Sequence, residues 1–438
     1  MRMVLSELRK MLDDVRAILN SPSKMFALVR IPLYANAFYL LLANVSNTVF
    51  GFFFWIIAAR LYNAASVGIG SAIISAVTLL ELLSCLGLGY GMVRFIKSSN
   101  NPVNLINSAL TLTGIISLIA AGIFIIGLDL WSPALNIIQK NIFFLFIFLF
   151  LVPIQVLDDL TDQVMMGERH ASFIFIHLII FNIFRLILLV LMVDFSQSLG
   201  IFSSYGTATL IALLISLFIL LPRAQSMYRI SFIIDRKALL TVLHFSFLNY
   251  LSDLFWSVPG LVLPIIIVNM LGAAKNAYFF IAWAIGNILG VIPGALASSL
   301  LAEGTYDESH LKNHVLSSLK MVALILVPAV TLVWFLADKF LLLYGGIYAA
   351  NAVTLLHWLA IAAFPLAINT IYFTIKRVQK NIKSVIMLAA LMAVIVIIAS
   401  YLLLPRMGIN GVGIAWLTGQ SVVALIAIVW DVRNWVSV

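Results

Sequence analysis

The sequence predicts an all-α polytopic membrane protein, with about twelve transmembrane helices in two six-helix bundles related by a parallel pseudo-two-fold repeat. Three observations predict it. First, 63% of the 438 residues are hydrophobic and only 10% are charged, with a mean hydropathy of +1.13; a soluble domain carries roughly 25% charged residues. Second, the apolar residues come in continuous runs near the ~20 residues that cross a hydrocarbon core as a helix, not in the alternating ~10-residue segments of a β-barrel. Third, short motifs recur about 210 residues apart.

The elements follow in chain order. Residues 1–32 are too interrupted by charge to be a cleaved signal peptide. Leu5, Leu8, Leu12, Val15 and Leu19 fall at helical spacing, with Arg9, Lys10 and Arg16 elsewhere on the wheel, and Asn20-Ser21-Pro22 stops the run. That pattern suits an interfacial helix on the cytoplasmic leaflet, or a solvated tail. Spans then fall near 35–59, 66–92, 104–128, 142–165, 171–193 and 201–221, forming an N-terminal lobe over 33–221. A basic linker, 222–243, leads into a C-terminal lobe over 244–434, with spans near 245–271, 276–301, 316–337, 350–374, 382–404 and 408–430.

Orientation comes from Lys and Arg. With both termini cytoplasmic, 20 of the 26 basic residues fall on cytoplasmic segments. Only Arg60, Lys140, Lys275, Lys339 and Arg406 fall outside, and Arg185 lies within a span. This is the asymmetry the positive-inside rule requires. The net charge of +9 is therefore a topology signal, and no basic soluble domain offers itself to nucleic acid. One cysteine, Cys85, excludes an intrachain disulfide framework and a cysteine metal site, and the six histidines show no metal-ligand spacing. No nucleotide-binding or other cofactor motif is present.

Three pairs of segments carry the repeat: RLYNAASVGIGSAI (60–73) over MLGAAKNAYFFIAW (270–283), VMMGERHASF (164–173) over IKRVQKNIKS (375–384), and LGIFSSYGTATL (199–210) over MGINGVGIAWLT (407–418). The shifts are 210, 211 and 208. An even number of spans per half makes the repeat parallel, with a path between the bundles. AARLYNAASVG (58–68), LGLGYGMVRF (86–95), LLLYGGIYAANAVTLL (341–356) and PRMGINGVGIAW (405–416) resemble the polysaccharide and O-antigen flippases of the multidrug/oligosaccharidyl-lipid/polysaccharide exporter superfamily. Pro405, Gly408, Gly411 and Ala415 look like that family's P-x-x-G-x-x-G-x-x-x-A, and Tyr344-Gly345 with Tyr348 looks like its aromatic-Gly-x-x-Tyr turn. Val67 departs from the pattern, since an aromatic usually precedes that glycine. The resemblance implies a lipid-linked oligosaccharide as substrate, membrane lipid as surroundings and glycan-assembly proteins as partners. These motifs also have a structural explanation: Pro405 and Gly408 end one span and open the next. Gly87, Gly89 and Gly91, like Gly408, Gly411 and Gly413, form small-residue faces for close helix approach, so packing is expected of all of these glycines.

Charges inside the spans are candidates for function, because they face a bundle interior or a wet cavity. Glu81 and Arg185 suggest a buried pair within the first bundle, structural or transport-related. Asp158 and Asp162 share a helical face beside Asp159, where partial solvation and pairing with Arg94 or Arg169 would hold them. Asp253, shifted back by 209, falls on Asn44, which shares a face with Asn47; by the resemblance these three line the central cavity. A linking phosphate would want Arg forks, and Arg94, Arg185 and Arg30 are the available set. Trp256 and Trp283 could stack on sugar rings or simply pack.

The function expected is that of a flippase moving a lipid-linked oligosaccharide from the cytoplasmic to the outer leaflet, ion-coupled and not an enzyme. Two alternatives stand beside it. A drug or metabolite exporter of the same superfamily would share the fold and would use carboxylates for Na⁺ or H⁺. A polytopic glycosyltransferase or polymerase would need charged catalytic groups on a sizeable outer loop, and the outer loops here are short.

Overall fold

The computed structural model describes residues 32–435 apart from 195, 196, 198 and 307–310, so the segment 1–31, including Arg30, lies outside the described residues. Among the described residues, twelve helices are long and apolar enough to cross a bilayer. The first bundle is α1 (Pro32–Leu61), α2 (Ala64–Cys85), α3 (Pro102–Ile126), α4 (Ile142–Gly167), α5 (Ala171–Leu191) and α6 (Gly200–Ala224). The second is α7 (Arg236–Leu271), α8 (Ala273–Tyr306), α9 (Leu311–Phe335), α10 (Gly346–Val378), α11 (Ile382–Met407) and α12 (Ile409–Trp435). Within the bundles α1 packs on α5 and α3 on α4; α8 packs on α10, and α11 on α12 and α7.

Local chemistry sets the helix starts. Asn63 caps α2 by accepting from the Ser66 amide, Asn101 caps α3 with Pro102 in its first turn, and Asp235 accepts from the amides of Lys237 and Ala238 to open α7. Each satisfies amides that have no partner within the helix. The stops carry the repeat. After α4, Arg169 takes a left-handed conformation (φ +63°), and the His170 amide bonds back to the Met165 carbonyl. After α10, Lys380 does the same (φ +58°), and the Asn381 amide bonds to the Lys376 carbonyl. This is one Schellman turn built twice at the offset of 211 that the sequence showed.

Two sequence expectations need correction. The second span does not run unbroken over 66–92: Leu86 (φ +49°) and Gly87 (φ +77°) are both left-handed, so α2 ends at Cys85 and a separate two-turn helix covers Leu88–Phe95. The glycines, moreover, do not all act by packing. A Cβ on Gly91 would stand 2.0 Å from Val242 Cγ1 and one on Gly413 2.7 Å from Trp358 Cβ, which is packing. Gly408 meets nothing within 4 Å but has φ +58°, so of the two roles expected of it only the end of a span holds: it stops α11.

The helix ends define two faces. One carries Arg94, Lys97, Arg169, Arg223, Arg229, Arg377, Lys380 and Lys383 and is here called the basic face. At the opposite face the bundles are clamped. Asn276 of α8 donates to the Gly68 carbonyl (2.8 Å) and to Ser71 Oγ (3.2 Å). Arg60 donates to the carbonyls of Leu343 (2.9 Å) and Leu342 (2.7 Å). Asn269 bonds to the Trp131 carbonyl (3.2 Å), Ser132 Oγ (3.3 Å) and the Ala134 amide (3.0 Å). Gly68 permits the closest approach, since a Cβ there would fall 1.8 Å from the Ala273 carbonyl oxygen.

Candidate functional site: a cleft between the bundles

A cleft of about 810 Å³ lies between the bundles in the half nearer the basic face. Its two walls differ in chemistry. The N-terminal bundle contributes Ser75, Thr78, Glu81, Asp159 and Gln163; the C-terminal bundle contributes Trp256, Phe280, Trp283, Asn287, Thr370 and Trp416. Trp283 and Trp416 meet edge to face at 4.7 Å, and Trp256 meets Phe373 at 5.5 Å, so the rings brace one another. Tyr90 and Asp253 stand where the cleft reaches the surface. Among the described lining residues there is no Lys or Arg.

Glu81 lines the cleft one turn before the α2 break, about 26 Å along the helix from its opposite end at 1.5 Å per residue. It is therefore nearer the basic face than the bilayer centre. Its neighbours are the carboxyls of Asp159 and Asp158, not Arg185. The expected Glu81–Arg185 pair does not form. Arg185 is buried between α5 and α1, its guanidinium 4.8 Å from the Phe181 ring and 5.2 Å from the Phe54 ring, with Nε and one terminal nitrogen lacking a hydrogen-bond partner. The aromatic faces replace a counter-ion, and Tyr205, bonded to Gln155 Oε1 at 3.1 Å, stands against Phe181.

Asp158 and Asp162 do not pair with Arg94 or Arg169 and are not left to solvent. They hold His177 of α5 between them: Nε2 lies 2.9 Å from Asp158 Oδ1 in a hydrogen bond. Nδ1 lies 2.9 Å from Asp162 Oδ1, but out of line for a bond. His177 is 1% exposed. The sequence held a signal for this. The α4–α5 turn is short, Asp162 precedes His170 by eight residues and His177 follows it by seven, so the two side chains reach the same depth in a helical hairpin.

Of the other expected residues, Asp253 lines the cleft and is bonded to Arg377 of α10 at 2.8 Å, with Ser252 Oγ accepting from the same Arg377 nitrogen at 3.2 Å. Asn44 is exposed on α1 outside the cleft lining, and Asn47 accepts from Asn182 Nδ2 (3.3 Å) on α5. Arg94 lies over the Phe245 ring at 4.7 Å, also outside the lining. Nothing in local sequence spacing sets Arg377, Gln163 and Trp416 apart; only the fold brings them to or beside the cleft. Among the described residues no cluster of His, Cys, Asp and Glu could hold a metal ion.

No family model and no curated protein matches the sequence. Solved structures do match. One is an inward-facing multidrug resistance MATE family transporter of the MOP superfamily, at TM-score 0.67 and 16% identity over 89% of this chain and 94% of that one. A second is the lipid II flippase MurJ in an inward closed conformation, at TM-score 0.74 and 14% identity over 90% and 87%. A third is a MOP superfamily transporter from Pyrococcus furiosus, described as having a binding pocket of reverse polarity, at TM-score 0.63 and 16% identity over 92% and 96%. The chain thus has the two-repeat fold of the MOP superfamily structures.

Proposed function

We propose that the protein is an alternating-access transporter that flips a lipid-linked oligosaccharide from the cytoplasmic to the outer leaflet, with the basic face cytoplasmic. The observation that carries this reading is the chemistry of the cleft: tryptophan rings gathered on the C-terminal wall, with hydrogen-bonding carboxylates, hydroxyls and amides on both walls. Each sugar hydroxyl moved into hydrocarbon without a partner costs several kcal/mol, and such walls replace those partners. Tryptophan faces suit the apolar faces of sugar rings. For the lipid tail, the supporting feature is the seam between α1 and α8. Trp55 and Phe280 meet there at 4.5 Å. Towards the basic face from that contact, Asn44, Asn47 and Thr48 are exposed on α1, and Asn287 and Ser298 on α8. Polar groups exposed at such depth call for a wet or head-group-lined passage between the bundles. The phosphate would reach Arg377, the cation bonded to a cleft-lining carboxylate. Glu81 and Asp159, backed by the Asp158–His177–Asp162 contact, are the groups available to couple an ion.

A second reading has a specific observation in its favour. Among the described lining residues there are three carboxylates and no Lys or Arg, which suits an organic cation exchanged for H⁺ or Na⁺. A deletion strain separates the two. The flippase reading expects a lipid-linked sugar stranded on the cytoplasmic leaflet and loss of surface glycan. Normal surface glycan with raised sensitivity to toxic cations would replace it with the exporter reading. Glycan units that reach the outer face but stay short would point to a polymerase.

A further inference from the structure

The segment joining the bundles is an exposed apolar strip held rigidly in place. Between the end of α6 at Ala224 and the start of α7 at Arg236 a turn at residues 225–227 leads into a stretch without regular secondary structure, and Phe232 (91% exposed), Ile233 and Ile234 present consecutive apolar side chains to the surroundings, preceded by Met227 (89%) and Ile230. This is not a slack loop. Asn107 Nδ2 of α3 donates to the Arg229 carbonyl (2.8 Å) and to Ser231 Oγ (3.0 Å), the Asp235 amide donates to Ser108 Oγ (2.8 Å), and the Tyr228 ring is buried. Fixing three bulky apolar residues outward against water gains nothing for the fold, so their surroundings are not water alone.

We propose that this strip is a membrane-interface anchor, with Phe232 and Ile234 inserted among the acyl chains next to the head groups and the flanking cations on anionic lipid phosphates. Two features choose the occupant. The first is charge: Arg223, Arg229, Arg236 and Lys237 are all exposed around the strip, while Asp235, the carboxylate within 222–243, is engaged in capping α7. Basic residues beside an anionic leaflet each contribute about fivefold to partitioning. The second is continuity: Phe218 and Ile219 on α6 and Leu240 and Phe247 on α7 are exposed apolar residues on the two membrane-spanning helices the strip connects. The strip thus prolongs the lipid-contacting surface of the helices into the head-group layer, where an apolar ring flanked by cations is at home. It would tie the hinge segment between the lobes to the leaflet, independently of what the cleft carries.

The test uses the full chain in a Cys85→Ser background, with Phe232→Cys or, separately, Ile234→Cys carrying an environment-sensitive fluorophore. Both sites are exposed, so neither substitution reaches the buried core. The protein is reconstituted into phosphatidylcholine alone or phosphatidylcholine doped with phosphatidylglycerol, with brominated acyl chains or aqueous iodide as quencher. The proposal expects blue-shifted emission, quenching by brominated lipid and protection from iodide. Quenching should strengthen severalfold with phosphatidylglycerol, and that gain should be lost when Arg229, Arg236 and Lys237 are changed to Gln. Iodide quenching without bromine quenching would overturn it. Protection from both quenchers would overturn it in favour of a protein occupant, such as residues 1–31 of the same chain. Bromine quenching indifferent to phosphatidylglycerol would overturn the anionic partner.

Discussion

Asn276→Ala should open the clamped face. Asn276 is fully buried and donates from one amide nitrogen to the Gly68 carbonyl and Ser71 Oγ of the other bundle. Gly68 O retains its helical partner and the Ser71 hydroxyl, which donates to it at 3.1 Å, so little is stranded on the α2 side by the substitution. The loss is then the bonds themselves and the contact of the amide, about 2 kcal/mol for a buried pair of this kind. These bonds exist only while α2 and α8 touch, so that energy goes into the balance between clamped and unclamped states, a shift of about thirtyfold. Gly68→Ala should act in the same direction by a different route, because its Cβ would need to occupy the Ala273 carbonyl oxygen's space. Spin labels on Ala65 and Ala350, both exposed near this face, would report the separation by pulsed electron resonance in a Cys85→Ser background. A longer distance should appear or grow in both variants. An unchanged distribution in monodisperse protein of both variants would refute the assignment of Asn276 and Gly68 to the clamp.

Further expectations follow from the same geometry. Glu81→Gln and Arg185→Gln should combine additively, within about 0.5 kcal/mol in stability, because the two side chains do not meet; rescue of either by the other would show that they pair after all. His177→Phe should cost about 3–5 kcal/mol by leaving Asp158 buried without its partner, and Asp158→Asn in the same chain should recover part of the yield of folded protein. Arg377→Gln should weaken binding of a polyprenyl pyrophosphate tenfold or more, at about 1.5–3 kcal/mol for a charged hydrogen bond, whereas Asp253→Asn should tighten it by releasing the guanidinium; equal affinities in a titration of all three proteins would remove Arg377 from the phosphate site. Ile230→Cys in the Cys85→Ser background should resist an impermeant thiol reagent applied outside intact cells, and labelling there would reverse the orientation read from Lys and Arg.

The fold was legible because membrane helices announce themselves by length and composition, and the repeat by turns that must be made twice. The Schellman turns at Arg169 and Lys380 show why a weak match of ten residues was meaningful: both copies need the same backbone there, whatever the side chains. The site was less legible. Glu81 and Asp253, which line the cleft, stand out in the sequence as charge in an apolar run, but which partner a buried charge takes depends on helix rotation, and sequence spacing does not encode that. Arg185 illustrates the point. Electrostatics alone favoured a carboxylate, while the rotation of α5 turns it between two phenylalanines instead. Similarly, the α2 break could not be foreseen from Leu86, a residue that rarely takes a left-handed conformation.

The distribution of ion pairs bears on how such a molecule can move. Among the described residues, Lys97–Glu168, His177 with Asp158 and Asp162, Arg377–Asp253 and Lys339–Asp338 each lie within one bundle, and none crosses between bundles. Where the bundles meet at the clamped face, the polar contacts are side chains on backbone carbonyls, amides or hydroxyls. A buried ion pair broken by separation would strand charge at a cost of about 3–5 kcal/mol, whereas a neutral bond exchanged for water costs about 1 kcal/mol net, and one from a charged donor such as Arg60 about 1.5–3 kcal/mol. The strong electrostatics therefore hold each bundle rigid, and the seam between them is left shallow enough for ligand or ion binding to tilt. Glu81 and Asp159 face this seam from the N-terminal side, and the tryptophans, with Asp253, from the C-terminal side. An occupant that satisfies both walls would join surfaces that no ion pair joins, which is how binding in the cleft could be converted into movement of one bundle against the other.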